Sequence, residues 1–239
     1  MNPTIFDILL MEEEQLFYFL VKHLKKYYPE VISYPLDFVA AYSDNPILLL
    51  AHIDSVRSKY ERIKLIRIND LIKNRYGILS ADDRAGVYAI LEILALCTKK
   101  GIVLPSVLFT NGEEYGGTGM KSFISLCGND IPRHINLLVA LDRKHANEYV
   151  YYSSYLPQAV KRYVESFGYI EAQGSYNDVA DLTNFTKIPG INVSVGYYRA
   201  HTEREVLHYS ELRMTCYRIT LMLRRPLSKL FRIENPFSG

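Results

Sequence analysis

Several features are scarce in this 239-residue chain, and each scarcity closes off a class of function. Only three cysteines occur, Cys97, Cys127 and Cys216, odd in number and widely separated, two of them inside apolar stretches that read as helices. That pattern indicates neither a disulfide framework nor a cysteine zinc site, and it fits a reducing, cytoplasmic location best. No run approaches the roughly 20 apolar residues needed to cross a bilayer, because charges interrupt the longest ones. The early apolar run from Ile5 to Met11 passes directly into Glu12, Glu13 and Glu14, with no basic lead-in and no small-residue cleavage site. No signal peptide and no membrane partner are expected. Neither sign of charge dominates: 28 Lys and Arg stand against 26 Asp and Glu, and the basic residues are dispersed. A nucleic acid therefore finds no basic track to dock against. Internal repeats, low-complexity tracts and Pro/Gly/Ser linkers are missing too, so a single catalytic-sized domain over residues 1–239 is expected.

What is present is a regular alternation. From Glu12 to Tyr28, the positions Leu16, Phe17, Leu20, Leu24 and Tyr27 recur at helical spacing, with acids first and Lys22, Lys25 and Lys26 last, as the helix dipole favours. Pro46 to Ala51, Ser106 to Thr110, Ile135 to Leu141 and Ile191 to Val195 are short apolar runs without alternation, the pattern of strands covered on both faces. Helix-period segments separate or follow them: Asp83 to Thr98, Gly119 to Leu126, Pro157 to Phe167, and Ser210 to Arg225, the last stopped by Pro226. Together these predict an α/β fold with a mixed, largely parallel central sheet flanked by helices on both faces. Arg62 to Ile68 alternates charged and apolar residues and is expected to be a half-exposed strand near an edge. Residues after Pro226 read as a loosely held tail.

The residues able to bind metal fall at the ends of these strands. His52 and Asp54 close the first (LLLAHID), Glu113 and Glu114 follow the second (LFTNGEE), Asp142 ends the third (LLVALD), and His201 follows the fourth (VSVGYYRAH). Asp82 and Asp83 open a helix in SADDRAG. Sites in open α/β sheets form outside the carboxyl ends of the strands, so these side chains are expected to converge.

In this order, A-H-I-D, A-D-D-R-A-G, N-G-E-E-Y-G-G-T-G, A-L-D and R-A-H-T-E-R-E resemble the motifs of the co-catalytic di-zinc exopeptidase superfamily, over roughly Leu48 to His208. The resemblance implies that His52 and Asp142 hold one ion, Glu114 and His201 the other, and Asp82 bridges both, with a cis bond from Asp82 to Asp83. It implies two divalent ions, zinc first and cobalt or manganese as alternatives that also suit N/O ligands. Each ion would then have an imidazole, a terminal carboxylate, a share of Asp82 and a shared water. Asp54 would accept the second N–H of His52 and fix its tautomer. Glu113, left free of metal, would be the general base. The carboxypeptidase and deacylase relatives carry a lid between the Asp142 and His201 equivalents, and tetrahedral aminopeptidases an insertion between the His52 and Asp82 equivalents. Neither interval here has the length, so no lid domain is expected, and the resemblance is greatest to single-domain zinc aminopeptidases.

Other residues have weaker claims. Tyr197 and Tyr198 lie just before His201 and are candidates for a substrate wall, ahead of the tyrosines at 149, 151, 152 and 155. Asp178 and Asp181 are candidates for holding a substrate amine, although a helix-start pair is the more ordinary reading. Arg84 either orients the nearby carboxylates or is an ordinary surface arginine. The glycines at 112, 116, 117 and 119 lack the G-K-[S/T] ending of a phosphate loop and read as a turn cluster. The expected substrate is a peptide or small amide cleaved at a free N-terminus, with a homo-oligomer compatible with the sequence. An amidohydrolase, dipeptidase or deacylase for N-acylated substrates is the alternative, followed by a mono-zinc glutaminyl-cyclase-like acyltransferase or an inactive metal-binding scaffold.

Overall fold

The computed structural model describes residues 2–58, 60–152, 156–174 and 177–225. The expected tail after Pro226, and Tyr155, lie outside the described residues. Two helices open the chain, α1 (Ile5–Leu10) and α2 (Glu13–Leu24). Thr4 caps α1, its hydroxyl accepting from Asp7 N while Asp7 accepts from Thr4 N, so two N–H groups at the helix start are satisfied reciprocally.

Eight strands form the main sheet: β1 (Ile32–Tyr34), β2 (Phe38–Ala41), β3 (Ile47–His52), β6 (Ser106–Thr110), β7 (Leu137–Arg143), β8 (Glu148–Tyr151), β9 (Ile170–Glu171) and β10 (Gly190–Ser194). Their order is β1-β2-β6-β3-β7-β10-β8-β9. The central four, β6, β3, β7 and β10, are mutually parallel, whereas β1, β2 and β8 pair antiparallel at the flanks. Because side chains alternate along a strand, each central strand feeds two cores. Val39, Leu49, Val107, Val139 and Val193 face α2, α3 (Ala81–Lys100), α5 (Gln158–Glu165) and α7 (Tyr209–Arg224). Phe38, Leu50, Leu108 and Leu138 face α4 (Thr118–Cys127) and α6 (Asp178–Thr186). This explains the unbroken apolar runs: a strand covered on both faces has no polar side to display.

A second, four-stranded sheet, β11-β12-β5-β4, is built from β4 (Leu65–Ile68), β5 (Leu71–Asn74), β11 (Tyr197–Tyr198) and β12 (Val206–His208). The alternating segment Arg62 to Ile68 supplies its edge strand, as a half-exposed strand should. The existence of this second sheet was not visible in the periodicity, because β11 and β12 are two and three residues long and are joined to β5 by pairing across more than a hundred residues.

Arg84 is neither a surface residue nor a partner of the nearby acids. It is 1% exposed, and its guanidinium donates to Ile8 O at 3.3 Å and Met11 O at 2.7 Å, tying the α1–α2 junction to α3. No described helix is long and apolar enough to cross a membrane.

Candidate metal centre

β3, β6, β7 and β10 all run in one direction, so their carboxyl ends open on one side of the sheet. His52 is the last residue of β3, and Asp142 stands one residue before the end of β7. Glu113 and Glu114 lie in the turn between β6 and α4, and His201 in the loop between β11 and β12. Gly112 starts that first turn with φ +80°, where a Cβ would meet the Thr118 hydroxyl at 2.1 Å. Asp82 enters α3 next to a cis Asp82–Asp83 bond, as the resemblance implies. Gly86 lets the first turn of α3 press on β7: a Cβ there would lie 1.9 Å from Leu141 O and 2.4 Å from an Asp83 carboxylate oxygen.

Four of the side chains interlock around Asp82. Its Oδ1 lies 3.3 Å from His52 Nε2 and its Oδ2 lies 3.2 Å from His201 Nε2. His52 Nε2 is also 3.7 Å from Asp142 Oδ1, and His201 Nε2 is 2.8 Å from Glu114 Oε1. His52, Asp82 and Asp142 thus form one group of ligand atoms, and Asp82, Glu114 and His201 a second, each within 4.8 Å of one another. His52, Glu113 and Glu114 also fall within that distance. The ring of His52 has one Nε2 to offer, however, and it faces Asp82 and Asp142, which leaves Glu113 as the carboxylate outside the two groups.

Asp54 organises this end of the site from beneath. It is 1% exposed and accepts from His52 Nδ1 at 3.2 Å, Glu113 N at 3.2 Å and Glu114 N at 3.0 Å. Burial opposes its ionisation, but the hydrogen bond and charge of His52 and these two N–H groups outweigh it and hold Asp54 below the usual carboxylate range. With Nδ1 committed as a donor, Nε2 of His52 is the atom turned to Asp82 and Asp142. Asp142 is held by two asparagines that carried no sequence signal and by Tyr197, expected instead as a substrate wall: Asn192 accepts from Asp142 N at 3.0 Å, Asn177 Nδ2 donates to Asp142 Oδ2, and the Tyr197 hydroxyl donates to Asp142 O at 3.1 Å.

A second buried carboxylate holds the other end. Glu205, 1% exposed, accepts from Leu79 N at 2.9 Å, Ser80 N at 2.8 Å and Asp82 N at 3.1 Å. Ser80 adopts a left-handed backbone with φ +65°, unusual for serine. Glu205 shares a loop with His201, so one carboxylate stitches the His201 loop to the Asp82 segment. Only its place in R-A-H-T-E-R-E hinted at it.

The donor set suits divalent cations: two imidazole nitrogens and three carboxylates, with no lysine or arginine paired among them. Glu114 Oε1 is buried and, despite its 2.8 Å approach to His201, accepts no properly directed hydrogen bond. Two ligand atoms that converge without bonding to each other fit a shared ion. Burial, and then the charges of Asp83 and Asp82, push Asp142 well above the usual range. Burial is also the leading cause for Glu113, followed among its raising causes by Glu114, Asp82 and Asp54. Such crowding of like charge calls for a cation.

Asp82, Glu113, Glu114, Asp142 and His201 line a cavity of about 600 Å³. Tyr197 lines it; Tyr198 does not, its hydroxyl donating to Glu211 at 2.9 Å and its ring packing between His145 and His208. Asp178 and Asp181 do not line it either. Asp178 is the first residue of α6, and its buried carboxyl takes the Thr110 hydroxyl at 2.5 Å. Burial pushes it up to about 7.

No curated protein is similar enough in sequence to match. Among solved structures, the aminopeptidase PepT of Bacillus cereus is similar with TM-score 0.73 and 14% identity, covering 92% of this chain and 96% of that one. A tripeptidase of Staphylococcus aureus gives TM-score 0.71 and 13% identity, with coverage of 92% and 96%. The TET1 peptidase of Pyrococcus horikoshii, described as able to assemble into a tetrahedron or a large octahedral shell, gives 0.64 and 13%, with coverage of 92% and 99%. At these identities the likeness speaks for the fold. Sequence speaks for the family: the model of peptidase family M28 matches residues 38–190, a stretch that holds His52, Asp82, Glu113, Glu114 and Asp142, and the chain belongs to that family.

Proposed function

We propose that the chain is a metal-dependent aminopeptidase acting as one catalytic domain, with two divalent ions, zinc first and cobalt or manganese as substitutes. His52 and Asp142 would hold one ion and Glu114 and His201 the other, with Asp82 a member of both groups. The observation that carries this reading is the division of Asp82, whose two oxygens face two different histidines. When bound, the ions supply Lewis-acid polarisation of a peptide carbonyl and of a water.

The rest of the chemistry belongs to the chain. Glu113 reaches the cavity without a place in either ligand group, which leaves its carboxylate able to accept a proton and return it. It takes the proton of the attacking water and delivers it to the amine that leaves. Asp54 positions His52 through Nδ1 and sets the peptide N–H groups of Glu113 and Glu114, so base and ligand move as one unit. Tyr197 and Asn192 fix the backbone of Asp142. Glu113, the carboxylate left outside the two ligand groups, draws the substrate ammonium; Asp178, bonded to Thr110, and Asp181 lie outside the cavity lining. Homo-oligomeric assembly and a cytoplasmic location belong to the same reading, the first supported by the assembly described for the Pyrococcus peptidase and the second by three unpaired cysteines.

The test combines elemental analysis with a matched substrate pair. About two equivalents of metal per chain are expected, with activity lost to a chelator and restored by the metal. A free peptide should lose its N-terminal residue, and its N-acetylated counterpart should be cleaved on the order of 10⁴-fold more slowly if the amine site is left unpaired. Equal cleavage of both, or release of C-terminal residues, overturns the aminopeptidase reading; one equivalent of metal at saturation overturns the two-ion reading.

A further inference from the structure

The cavity carries both signs of charge. Beside Asp82, Glu113, Glu114 and Asp142, the same space is lined by Arg143, Lys144, His145 and Arg199. Two of these four are engaged elsewhere. The Arg143 guanidinium donates to Glu148 Oε2 at 3.0 and 2.6 Å and to Gln173 O at 3.1 Å. His145 Nδ1 faces the same Glu148 oxygen at 3.4 Å. No hydrogen bond or ion pair engages the side chains of Lys144 and Arg199 among the described residues.

Their backbones hold them at the cavity, although both side chains are exposed. Lys144 directly follows β7, and its carbonyl accepts the Ser194 hydroxyl at 2.7 Å, which pins it to β10. Arg199 directly follows β11 with φ +58°, a left-handed conformation unfavourable for arginine, and its carbonyl accepts the Thr202 hydroxyl at 2.8 Å in the turn that carries His201. Two uncompensated cations are therefore presented by ordered backbone, one residue after a ligand strand and two residues before a ligand. Once the acids of the two ligand groups are satisfied by cations, Glu113 is the carboxylate of this lining that remains to set against them.

We propose that Lys144 and Arg199 form a carboxylate subsite, so that the preferred substrates are short peptides bearing a carboxylate within reach of the cleaved bond. This rests on the peptidase reading above and narrows it to a substrate class. The carboxylate is either the C-terminal group of a di- or tripeptide or the side chain of an N-terminal acidic residue. Both present the same planar anion, to which a guanidinium offers paired donors and an ammonium a point charge.

The experiment measures binding by calorimetry in zinc-loaded Glu113→Gln, where substrates persist. One arm compares Ala-Ala with Ala-Ala-amide and reads the C-terminal source. The other compares Glu-Ala-amide with Gln-Ala-amide and reads the side-chain source. In at least one arm the carboxylate ligand should bind about tenfold more tightly, the product of two partly solvated ion pairs each giving a few-fold. That ratio should fall towards one when Lys144→Gln and Arg199→Gln are added, and should shrink with salt. A ratio near one in both arms overturns the subsite, and so does a ratio that survives the double substitution, which would assign the carboxylate to the metals. Turnover of the same peptides by the unsubstituted enzyme is scored separately: its absence counts against the peptidase reading, while the affinity ratio still decides the subsite.

Discussion

Replacing Glu205 by glutamine keeps the shape of the side chain that joins the two ligand loops while removing its charge and one acceptor. In the native loop the carboxylate accepts three N–H groups at 2.8–3.1 Å. Hydrogen bonds to a charged acceptor contribute about 1.5–3 kcal/mol each, and those to a neutral one about 0.5–1.5 kcal/mol. With its oxygen turned to Leu79 and Ser80, glutamine keeps two bonds at the weaker strength and sets its NH₂ against the Asp82 N–H, stranding that donor at a cost of about 1–3 kcal/mol. Relief of a buried charge offsets part of the loss, since burial already pushes the Glu205 carboxyl up to about 7. The expected net destabilisation is about 1–3 kcal/mol, within what a domain tolerates. The damage falls on Asp82 itself, so metal affinity should drop about 10- to 100-fold, as for other residues that orient a ligand. The assay is competition with a chromophoric chelator, beside thermal melts of the metal-free protein. A lowered melting temperature with unchanged affinity for both ions would refute the positioning role and leave Glu205 a merely structural strut.

Three further outcomes follow from the same geometry. Glu113→Gln should keep both metals and lower kcat by about 10²- to 10⁴-fold, whereas Glu114→Gln should weaken metal binding; the reverse pattern in metal analysis and kinetics would exchange their roles. His23 is 2% exposed, stacked on Phe19, and lowered to about 4 by burial and then by the charge of Lys26. Its folded pKa lies below the unfolded value of about 6.5, so the unfolded chain binds more protons between the two, and stability present above pH 6.5 is lost as pH falls towards 4. Denaturation midpoints at pH 7 and pH 5 should separate less in His23→Phe than in the unsubstituted protein; equal separation would contradict the linkage. Arg84→Ala leaves a cavity and two buried carbonyls without donors, and should cost about 3–5 kcal/mol in chemical denaturation while sparing metal stoichiometry. A loss under 1 kcal/mol would show that water replaces the guanidinium.

The sequence by itself determined the framework of the site. Apolar runs covered on both faces marked β3, β6, β7 and β10, and each was followed by a potential ligand, so a parallel sheet had to gather His52, Glu114, Asp142 and His201 at one edge. Those signals are local: an unbroken apolar run, a helix start, a ligand after a strand. Tertiary structure alone decided what each polar side chain meets. Glu205 finds its three N–H groups 123 to 126 residues away, Arg84 its carbonyls 73 to 76 residues away, and Asn192 its partner 50 residues away. Asp178 and Asp181 stood as weaker candidates for a substrate amine; α6 packs on the sheet face that carries Leu50 and Leu138, and Asp178 meets Thr110 there. The physical reason is common to all of them: a segment's own periodicity fixes which side is apolar, while the role of a buried charge depends on the donors that distant segments bring to it.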